Sequence, residues 1–200
     1  MYERSTGHIE VITGCMFSGK SEELIRRLNR ALIARQRVQV FKPAADSRTL
    51  GVASRDNRVL DAMGLPTSAE LRREVKFGTQ VVGVDEAQFF DPGLIGVCDD
   101  LANHGVRVIV AGLDMDFRGE PFGPVPGLMA IADFVDKVHA ICVRCGAPAL
   151  YSQRIAGGSE QVQVGDAESY EARCRRCFQR EVAAQTSLEL GEIERAATSP

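Results

Sequence analysis

Residues 14–21 read Gly14-Cys15-Met16-Phe17-Ser18-Gly19-Lys20-Ser21, and this stretch decides the fold. It fits the pattern G-x-x-x-x-G-K-[ST] of phosphate-binding P-loops. In such a loop the backbone N–H groups point at phosphate oxygens, the lysine reaches the β- and γ-phosphates, and the hydroxyl ligates Mg²⁺. The stretch therefore predicts a nucleoside triphosphate site.

The segments on either side of the loop have the periodicity that the pattern requires. His8–Thr13 is a short β-branched run typical of a strand. After the loop, apolar residues recur at helical spacing among charged ones, namely Leu24, Ile25, Leu28, Leu32 and Ile33. A strand, a glycine loop and a helix in this order favour a P-loop over a chance glycine-rich turn.

Apolar runs and helical patterns alternate along the rest of the chain. We expect Asp91 and Pro92 to be the N-cap and first residue of a helix that reaches Leu101, and residues 44–58 to be a flexible connection. This alternation predicts an α/β fold with a parallel sheet flanked by helices. The other predicted elements are strands at Val38–Phe41, Val81–Val84, Val106–Ala111 and Val138–Ile141, and a helix at Gly127–Val135.

Composition restricts the function classes. Two hundred residues suit one domain with a small appendage, and the net charge of −3 does not favour a general nucleic-acid binder. The arginines at and after the first helix are the nearest basic cluster, interpreted as a solvated face or a protein contact: Arg26, Arg27, Arg30, Arg35 and Arg37. Because the sequence has neither a signal peptide nor an apolar run of bilayer length, we expect a cytoplasmic protein.

Four of the six cysteines form two C-x-x-C pairs, Cys142/Cys145 and Cys174/Cys177. In a reducing cytosol this pattern favours one zinc ion on four thiolates over disulfides or a redox dithiol. The spacer between the pairs is longer than usual, which predicts an extended loop between two zinc knuckles. Since four thiolates leave no open position, we expect the metal to be structural.

Asp85 and Glu86 come directly after the predicted buried strand Val81–Val84. A carboxylate at this place can hold Mg²⁺ opposite Ser21. Glu86 should project into the same crevice, where it can accept a proton from a nucleophile in line with the γ-phosphate. With water as the nucleophile the chain is an ATPase, and with a substrate hydroxyl it is a kinase; these residues leave both open.

Aromatic residues follow two of the predicted strands, where ligands of open α/β sheets bind. They are either walls of a flat base pocket or ordinary core residues: Phe89, Phe90, Phe117 and Phe122. Between the cysteine pairs, residues 161–165 precede Tyr170 and can close over a substrate with their backbone groups.

Together these motifs resemble the type II, zinc-containing thymidine kinase family. The resemblance covers residues 7 to about 180. It implies a RecA-like P-loop domain at residues 1–141, a zinc-binding lasso domain at 142–180, and a helical or disordered tail at 181–200. The motifs that carry it are the loop Gly14–Ser21, Asp85-Glu86-Ala87-Gln88-Phe89-Phe90, Gly112-Leu113-Asp114 with Phe117 and Pro121-Phe122-Gly123, and the paired cysteines.

The resemblance implies transfer of the γ-phosphoryl group of ATP to the 5′-hydroxyl of thymidine, giving dTMP for DNA synthesis. Glu86 would be the general base, and Lys20 and Arg48 would stabilise the transferring phosphoryl group. ATP and Mg²⁺ would bind to Gly14, Cys15, Met16, Phe17, Ser18, Gly19, Lys20, Ser21, Asp46, Asp85 and Gln88.

Further implications concern the nucleoside, the metal and assembly. Cys15 stands where proline or serine is familiar in the family, and we expect its side chain to point away from phosphate. A homotetramer and feedback inhibition by dTTP are also implied. The thymine pocket corresponds to Met16, Phe89, Leu113, Phe117, Phe122, Ser152 and Tyr170, the lasso to Gln161, Val162, Gln163, Val164 and Gly165, and the zinc ligands to Cys142, Cys145, Cys174 and Cys177.

Two other functions compete with this reading. A nucleic-acid-stimulated ATPase with a zinc ribbon would use the same P-loop, carboxylates and cysteines. A non-catalytic nucleotide sensor with a zinc interaction module would need only nucleotide binding, although Lys20, Asp85 and Glu86 argue against it.

Overall fold

The structure is a computed structural model that describes residues 7–44, 51–53, 59–156 and 169–180. Seven of the predicted site residues therefore lie outside the described residues. Asp46, Arg48 and the lasso residues 161–165 are outside them, as is the tail at 181–200.

The helices and strands of the described residues are as follows. The helices are α1 (Lys20–Ile33), α2 (Ser68–Glu74), α3 (Leu94–Asn103) and α4 (Val125–Ile131), with a short 3-10 helix at Ala87–Phe89. The strands are β1 (His8–Thr13), β2 (Val38–Pro43), β3 (Gly51–Ala53), β4 (Val59–Asp61), β5 (Met63–Leu65), β6 (Val81–Val84), β7 (Arg107–Gly112), β8 (Phe134–Lys137), β9 (Ala140–Ile141), β10 (Pro148–Ala149), β11 (Tyr151–Arg154) and β12 (Tyr170–Arg173).

Six strands form a parallel sheet in the order β5-β2-β6-β7-β1-β8. In β6 and β7 the buried residues on both faces are apolar. β1 follows the same pattern apart from the buried Glu10 and Thr13, so these strands are not amphipathic. Ile12, Val81 and Ile109 pack against α1 on one face of the sheet. The apolar residues that alternate with them along each strand pack on the other face, beside α2, α3 and α4. The predicted α/β class, a parallel sheet flanked by helices, is confirmed.

The register of the sheet brings three strand ends level with one another. Thr13 at the end of β1 pairs with Gly112 at the end of β7, and Val84 at the end of β6 pairs with Val110. Three segments follow these strands. They are residues 14–21, which we call the phosphate loop, the Asp85-Glu86 pair, and the stretch from Leu113. The sheet therefore delivers all three to one edge.

The predictions for residues 127–141 are wrong in their bounds. Helix α4 ends at Ile131, and β8 follows as the edge strand beside β1. All four residues of β8 are exposed. The strand therefore lacks the alternation of buried and exposed residues that would distinguish it from a continuation of the helix. Ala140 and Ile141 belong to another sheet, in which β9 pairs with β10. The tertiary pairing with β1, rather than local periodicity, determines where the helix stops.

Two further predictions need correction. Helix α3 begins at Leu94 with Gly93 as its N-cap, so Asp91 and Pro92 lie just before it. The Asp91 carboxylate accepts hydrogen bonds from the Ser68 hydroxyl at 2.7 Å and the Gly93 N–H at 2.9 Å, which ties α2 to α3 instead. The connection predicted as flexible contains β3, which pairs with β4 just after the connection ends. The sequence did not predict α2 or β5.

The two cysteine pairs lie in a small module of two hairpins, β9–β10 and β11–β12. The hairpins are joined by backbone hydrogen bonds from Val143 N–H to the Ala172 carbonyl and from Leu150 N–H to the Arg173 carbonyl, both 3.1 Å long. We call residues 140–154 and 170–178 the cysteine module. Among the helices of the described ranges, none has the length and apolar character that crossing a bilayer would require.

Candidate active site

The phosphate loop leaves β1 in a conformation that requires glycine at its first position. Gly14 has φ +144°, and a Cβ atom there would lie 2.1 Å from the Val138 carbonyl oxygen. The loop therefore passes directly beside the residue that follows β8. Phe17 adopts φ +66° without being glycine, a conformation that persists only where the surroundings hold it.

Lys20 and Ser21 open helix α1 at the end of this loop. The Lys20 ammonium donates to the Cys15 carbonyl at 2.7 Å. Burial lowers the pKa of Lys20, while the charges of Glu86, Cys15 and Asp85 oppose that shift. A buried ammonium of this kind can bind a polyanion such as a nucleotide phosphate. The phosphate oxygens would accept its hydrogen bonds in place of the water that burial excludes.

Ser21 and Asp85 are brought together across the sheet. The Ser21 hydroxyl donates to the Asp85 carboxylate at 3.1 Å. Burial and the neighbouring charge of Glu86 raise the pKa of Asp85 to about 7. A hydroxyl and a buried carboxylate at a strand end form an oxygen-rich pair of the type that Mg²⁺ prefers.

Glu86 occupies a strained position immediately after Asp85. Its φ is +49°, in the left-handed region, at the start of the 3-10 helix Ala87–Phe89. Its backbone N–H donates to the Asp85 carboxylate at 3.0 Å. Strain of this kind costs about 1–3 kcal/mol and is found at sites where a side chain must be aimed.

Gln88 connects Glu86 to the loop after β7. Its amide nitrogen donates to the Glu86 carboxylate at 2.5 Å, and its amide oxygen accepts from the Leu113 N–H at 3.0 Å. The side chain is only 3% exposed, so both bonds are shielded from water. Sequence reasoning placed Gln88 with the nucleotide; its contacts are with Glu86 and Leu113, which makes it a residue that orients both.

Asp114 and Lys137 were missing from the predicted site. Asp114 lies after β7, is 6% exposed, and accepts from the Lys137 ammonium at 2.5 Å across the end of β1. Its other carboxylate oxygen is buried and, within the described residues, has no hydrogen-bond partner. Its charge raises the pKa of Lys20, so it contributes to the field of the phosphate loop. Its place in Gly112-Leu113-Asp114, after a buried strand, was the available signal.

Two groups of contacts involve the aromatic residues predicted for the base pocket. Phe89 and Phe122 form an edge-to-face pair with centroids 5.7 Å apart. The guanidinium of Arg154 lies 3.6 Å from the Phe117 centroid and donates to the Tyr170 hydroxyl at 2.7 and 3.0 Å.

The remaining members of the set have other contacts. Ser152 accepts from the Met16 N–H at 3.0 Å, so it contacts the phosphate loop. Leu113 is held through its backbone by Gln88. Phe90 is buried in the main core cluster, as the alternative interpretation expects.

The four predicted metal ligands form one cluster. The Sγ atoms of Cys142, Cys145, Cys174 and Cys177 all lie within 4.8 Å of one another, and those of Cys145 and Cys174 are 3.5 Å apart. Tetrahedral zinc with bonds of about 2.3 Å requires sulfur atoms about 3.8 Å apart. The cluster therefore fits the size and ligand set of a structural zinc site.

The protonation of these thiols also suits a metal. Burial opposes ionisation of Cys142, but backbone hydrogen bonds from Cys174, Arg144 and Cys145 outweigh it and lower the pKa to about 6. Hydrogen bonds with Cys145 and Cys174 raise the pKa of Cys177 to about 12. Cys142 thus ionises readily, whereas Cys177 keeps its proton until a cation offsets the negative charge of the neighbouring thiolates.

Comparison with known proteins gives a consistent family. A family model described as thymidine kinase matches residues 7–178. A thymidine kinase of Bacteroides fragilis strain YCH46 is 56% identical over 181 residues, covering 88% of this chain and 89% of the relative. A thymidine kinase of Rhodothermus sp. is 53% identical over 198 residues (98% and 92%), and one of Bdellovibrio bacteriovorus is 51% identical over 187 residues (92% of each).

Proposed function

This chain belongs to the thymidine kinase family, and we propose that it transfers the γ-phosphoryl group of ATP to the 5′-hydroxyl of thymidine. The observation that carries the proposal is the position of Glu86. Its carboxylate is bonded to Gln88, which also holds the backbone of Leu113 in the predicted nucleoside pocket. The candidate base is therefore connected to the acceptor side of the site, as a kinase requires.

The donor side would be formed by the phosphate loop. Lys20 would contact the β- and γ-phosphates, and Ser21 and Asp85, which lie in hydrogen-bond contact, would hold Mg²⁺. When bound, the ion would offset the negative charge that develops during transfer. Asp46 and Arg48 are proposed from the family resemblance to add a metal contact and a transition-state contact.

The acceptor hydroxyl would be activated by Glu86. A carboxylate held beside the acceptor accepts the hydroxyl proton as the oxygen attacks phosphorus, and such general-base catalysis contributes about 10²–10⁴-fold to the rate. The hydrogen bond from Gln88 fixes the orientation of the Glu86 carboxylate. The strained backbone of Glu86 supports a fixed direction for the side chain.

The nucleoside pocket would combine aromatic walls with the lasso. Phe89, Phe117, Phe122 and Tyr170 would surround the thymine ring together with Met16, Leu113 and Ser152, and backbone groups of residues 161–165 would read its edge. A packed methyl group is worth about 1–3 kcal/mol, so we expect moderate preference for thymine over uracil. Rejection of cytosine, whose hydrogen-bonding edge differs, should be stronger.

Zinc on the four cysteines would hold the module that carries the lasso. We also propose, from the family resemblance, the domain limits 1–141 and 142–180, a cytoplasmic location, a homotetramer and feedback inhibition by dTTP. The basic helix gives no support to nucleic-acid binding, because two of its arginines are paired. Arg26 contacts Glu23 at 2.6 Å, and Arg27 contacts Glu10 and Asp136 at 2.6 Å each.

The proposal is tested with a panel of nucleosides. Purified protein receives ATP and Mg²⁺ with thymidine, deoxyuridine, deoxycytidine, deoxyadenosine or no acceptor, and monophosphate products are quantified by chromatography. We expect dTMP as the main product and little ATP hydrolysis without an acceptor. A parallel reaction contains single-stranded DNA in place of a nucleoside. ATP hydrolysis stimulated by DNA, with no monophosphate formed, would replace the kinase by the ATPase alternative.

A further inference from the structure

The phosphate loop packs directly against the cysteine module. Cys15 is 3% exposed and belongs to a small core that contains two of the clustered cysteines, Cys142 and Cys174. Phe17, the residue with a left-handed backbone, packs on the same core. The other buried members are Ala140, Ala149 and Ala172. The face of the loop that does not receive phosphate is thus covered by the module.

Two hydrogen bonds join the loop to the module. The Cys15 thiol donates to the Ala149 carbonyl at 3.3 Å, and the Met16 N–H donates to the Ser152 hydroxyl at 3.0 Å. Both acceptors lie on the segment formed by β10 and β11. These contacts agree with the expected orientation of the Cys15 side chain, away from phosphate. They also show that this side chain joins the loop to the module.

These contacts reach the catalytic lysine through the loop backbone. The Cys15 carbonyl, which holds the Lys20 ammonium at 2.7 Å, belongs to the same peptide group as the Met16 N–H. The orientation of that single peptide group therefore depends on the Ser152 hydroxyl. A rotation that broke the Met16 bond would also displace the carbonyl that positions Lys20.

The module has little stability of its own with which to hold the loop. Its core consists of alanine and cysteine side chains, and its strands are two to four residues long. Units of fewer than about 40 residues generally need a metal or disulfides, because they bury too little apolar surface. Loss of the metal should therefore release the outer face of the phosphate loop.

We propose that Ser152 and Cys15 are positioning residues through which the metal-bound cysteine module sets the conformation of the phosphate loop. Metal occupancy and Ser152 then determine affinity for ATP even when no nucleoside is present. This inference rests on the proposed function, since it assumes that residues 14–21 bind ATP. It differs from the resemblance, which assigns Ser152 to the thymine pocket alone.

The test measures binding of a non-hydrolysable ATP analogue with Mg²⁺ by calorimetry, without nucleoside. Ser152→Ala removes the acceptor of the Met16 N–H and should weaken binding about fivefold to tenfold, the effect of one lost hydrogen bond. Ser152→Thr keeps the hydroxyl and should bind within about twofold of wild type. Cys15→Ala should weaken binding, whereas Cys98→Ala, which removes a buried thiol from α3, should not.

Steady-state kinetics provide a second readout. A loop-positioning role predicts that Ser152→Ala raises the KM for ATP at saturating thymidine. Unchanged analogue affinity, with only the KM for thymidine altered, would overturn the inference and leave Ser152 to the nucleoside. Failure of the wild-type metal-loaded protein to bind the analogue at all would instead overturn the proposed function.

A third measurement needs no variant. Alkylation of Cys15 by iodoacetamide, followed by peptide mass spectrometry, is compared in metal-loaded protein and after removal of the metal with a chelator. We expect slow labelling with metal and at least tenfold faster labelling without it, reversed when zinc is restored. Equal protection of Cys15 in both states would show that the metal does not hold the module against the loop.

Discussion

The carboxyl edge of the parallel sheet and the cysteine module meet at residues 15–17, yet different forces organise them. The edge is built by six paired strands between two helical layers, with large buried side chains such as Phe41 and Leu128. The module has two short hairpins around alanines and four thiols.

This difference teaches that the two halves of the proposed site have different sources of stability. Backbone pairing and apolar burial should hold the sheet edge regardless of metal. The cysteine module, and with it the outer face of the phosphate loop, should instead depend on an ion that joins the hairpins. Five experiments can break or sharpen that contrast.

Metal removal should have the largest effect. Structural zinc contributes an apparent free energy of about 10–16 kcal/mol in small zinc modules at neutral pH. Chelation should therefore abolish hydrogen-exchange protection of the Val143 and Leu150 amides while the amides of β1 and β7 stay protected. Zinc added back should restore it. Simultaneous loss of protection in β1 and β7 would show that the two regions form one cooperative unit.

Glu86→Gln should have the largest effect among single substitutions. Loss of the general base is expected to lower kcat by about 10³-fold, with affinity for Mg²⁺ and ATP nearly unchanged. Steady-state kinetics and calorimetry measure the two effects separately. Glu74→Gln, a change at an exposed residue of α2, is the matched control and should leave both unchanged. Near-normal turnover by Glu86→Gln would exclude Glu86 as the base.

Glu10→Gln should destabilise the sheet without touching the cysteine module. Glu10 is buried and accepts from Arg27 and Arg107 at 2.6 Å each, so its loss should lower the free energy of unfolding by about 3 kcal/mol. Denaturant titration measures this, and zinc content should stay constant. A matching loss of zinc would contradict the separation of the two regions.

The same residue gives a pH dependence with a definite sign. Burial opposes ionisation of Glu10, but hydrogen bonds from Arg107 and Arg27 outweigh it and lower its pKa below 4.5. The stabilisation is therefore fully present above about pH 4.5 and is lost as the pH falls through the lower folded-state pKa. The difference between wild type and Glu10→Gln should shrink on acidification from pH 6 to pH 3. A constant difference across that range would exclude ionisation of Glu10 as its cause.

Gln88→Leu should produce the smallest of these effects. Leucine keeps much of the volume of the buried side chain but leaves Glu86 and the Leu113 N–H without their shared partner. We expect kcat to fall about tenfold to a hundredfold, with a smaller change in KM for ATP. Gln88→Glu, which retains an acceptor for Leu113 but repels Glu86, should be worse than leucine. An unchanged kcat in both variants would remove Gln88 from the positioning of Glu86.

Much of this site was predictable from local sequence. The loop at 14–21, Asp85 and Glu86 each follow an apolar strand, so a strand and the turn after it suffice to place them at one edge. The cysteine pairs were equally readable, because their spacing matches a four-thiolate cluster. The end of α4 was not readable, because β8 has no buried face and is defined by its pairing with β1.

By itself, the sequence determined the class of fold, the loop at 14–21, the paired carboxylates and the four clustered cysteines, since these are residue types at short, characteristic spacings. Only the tertiary structure decided what those residues contact. Cys15 and Ala149 are 134 positions apart, and Met16 and Ser152 are 136 apart, so no local pattern relates them. The phosphate loop is recognisable in the chain from its glycines and lysine, but the support of its outer face comes from packing between distant segments.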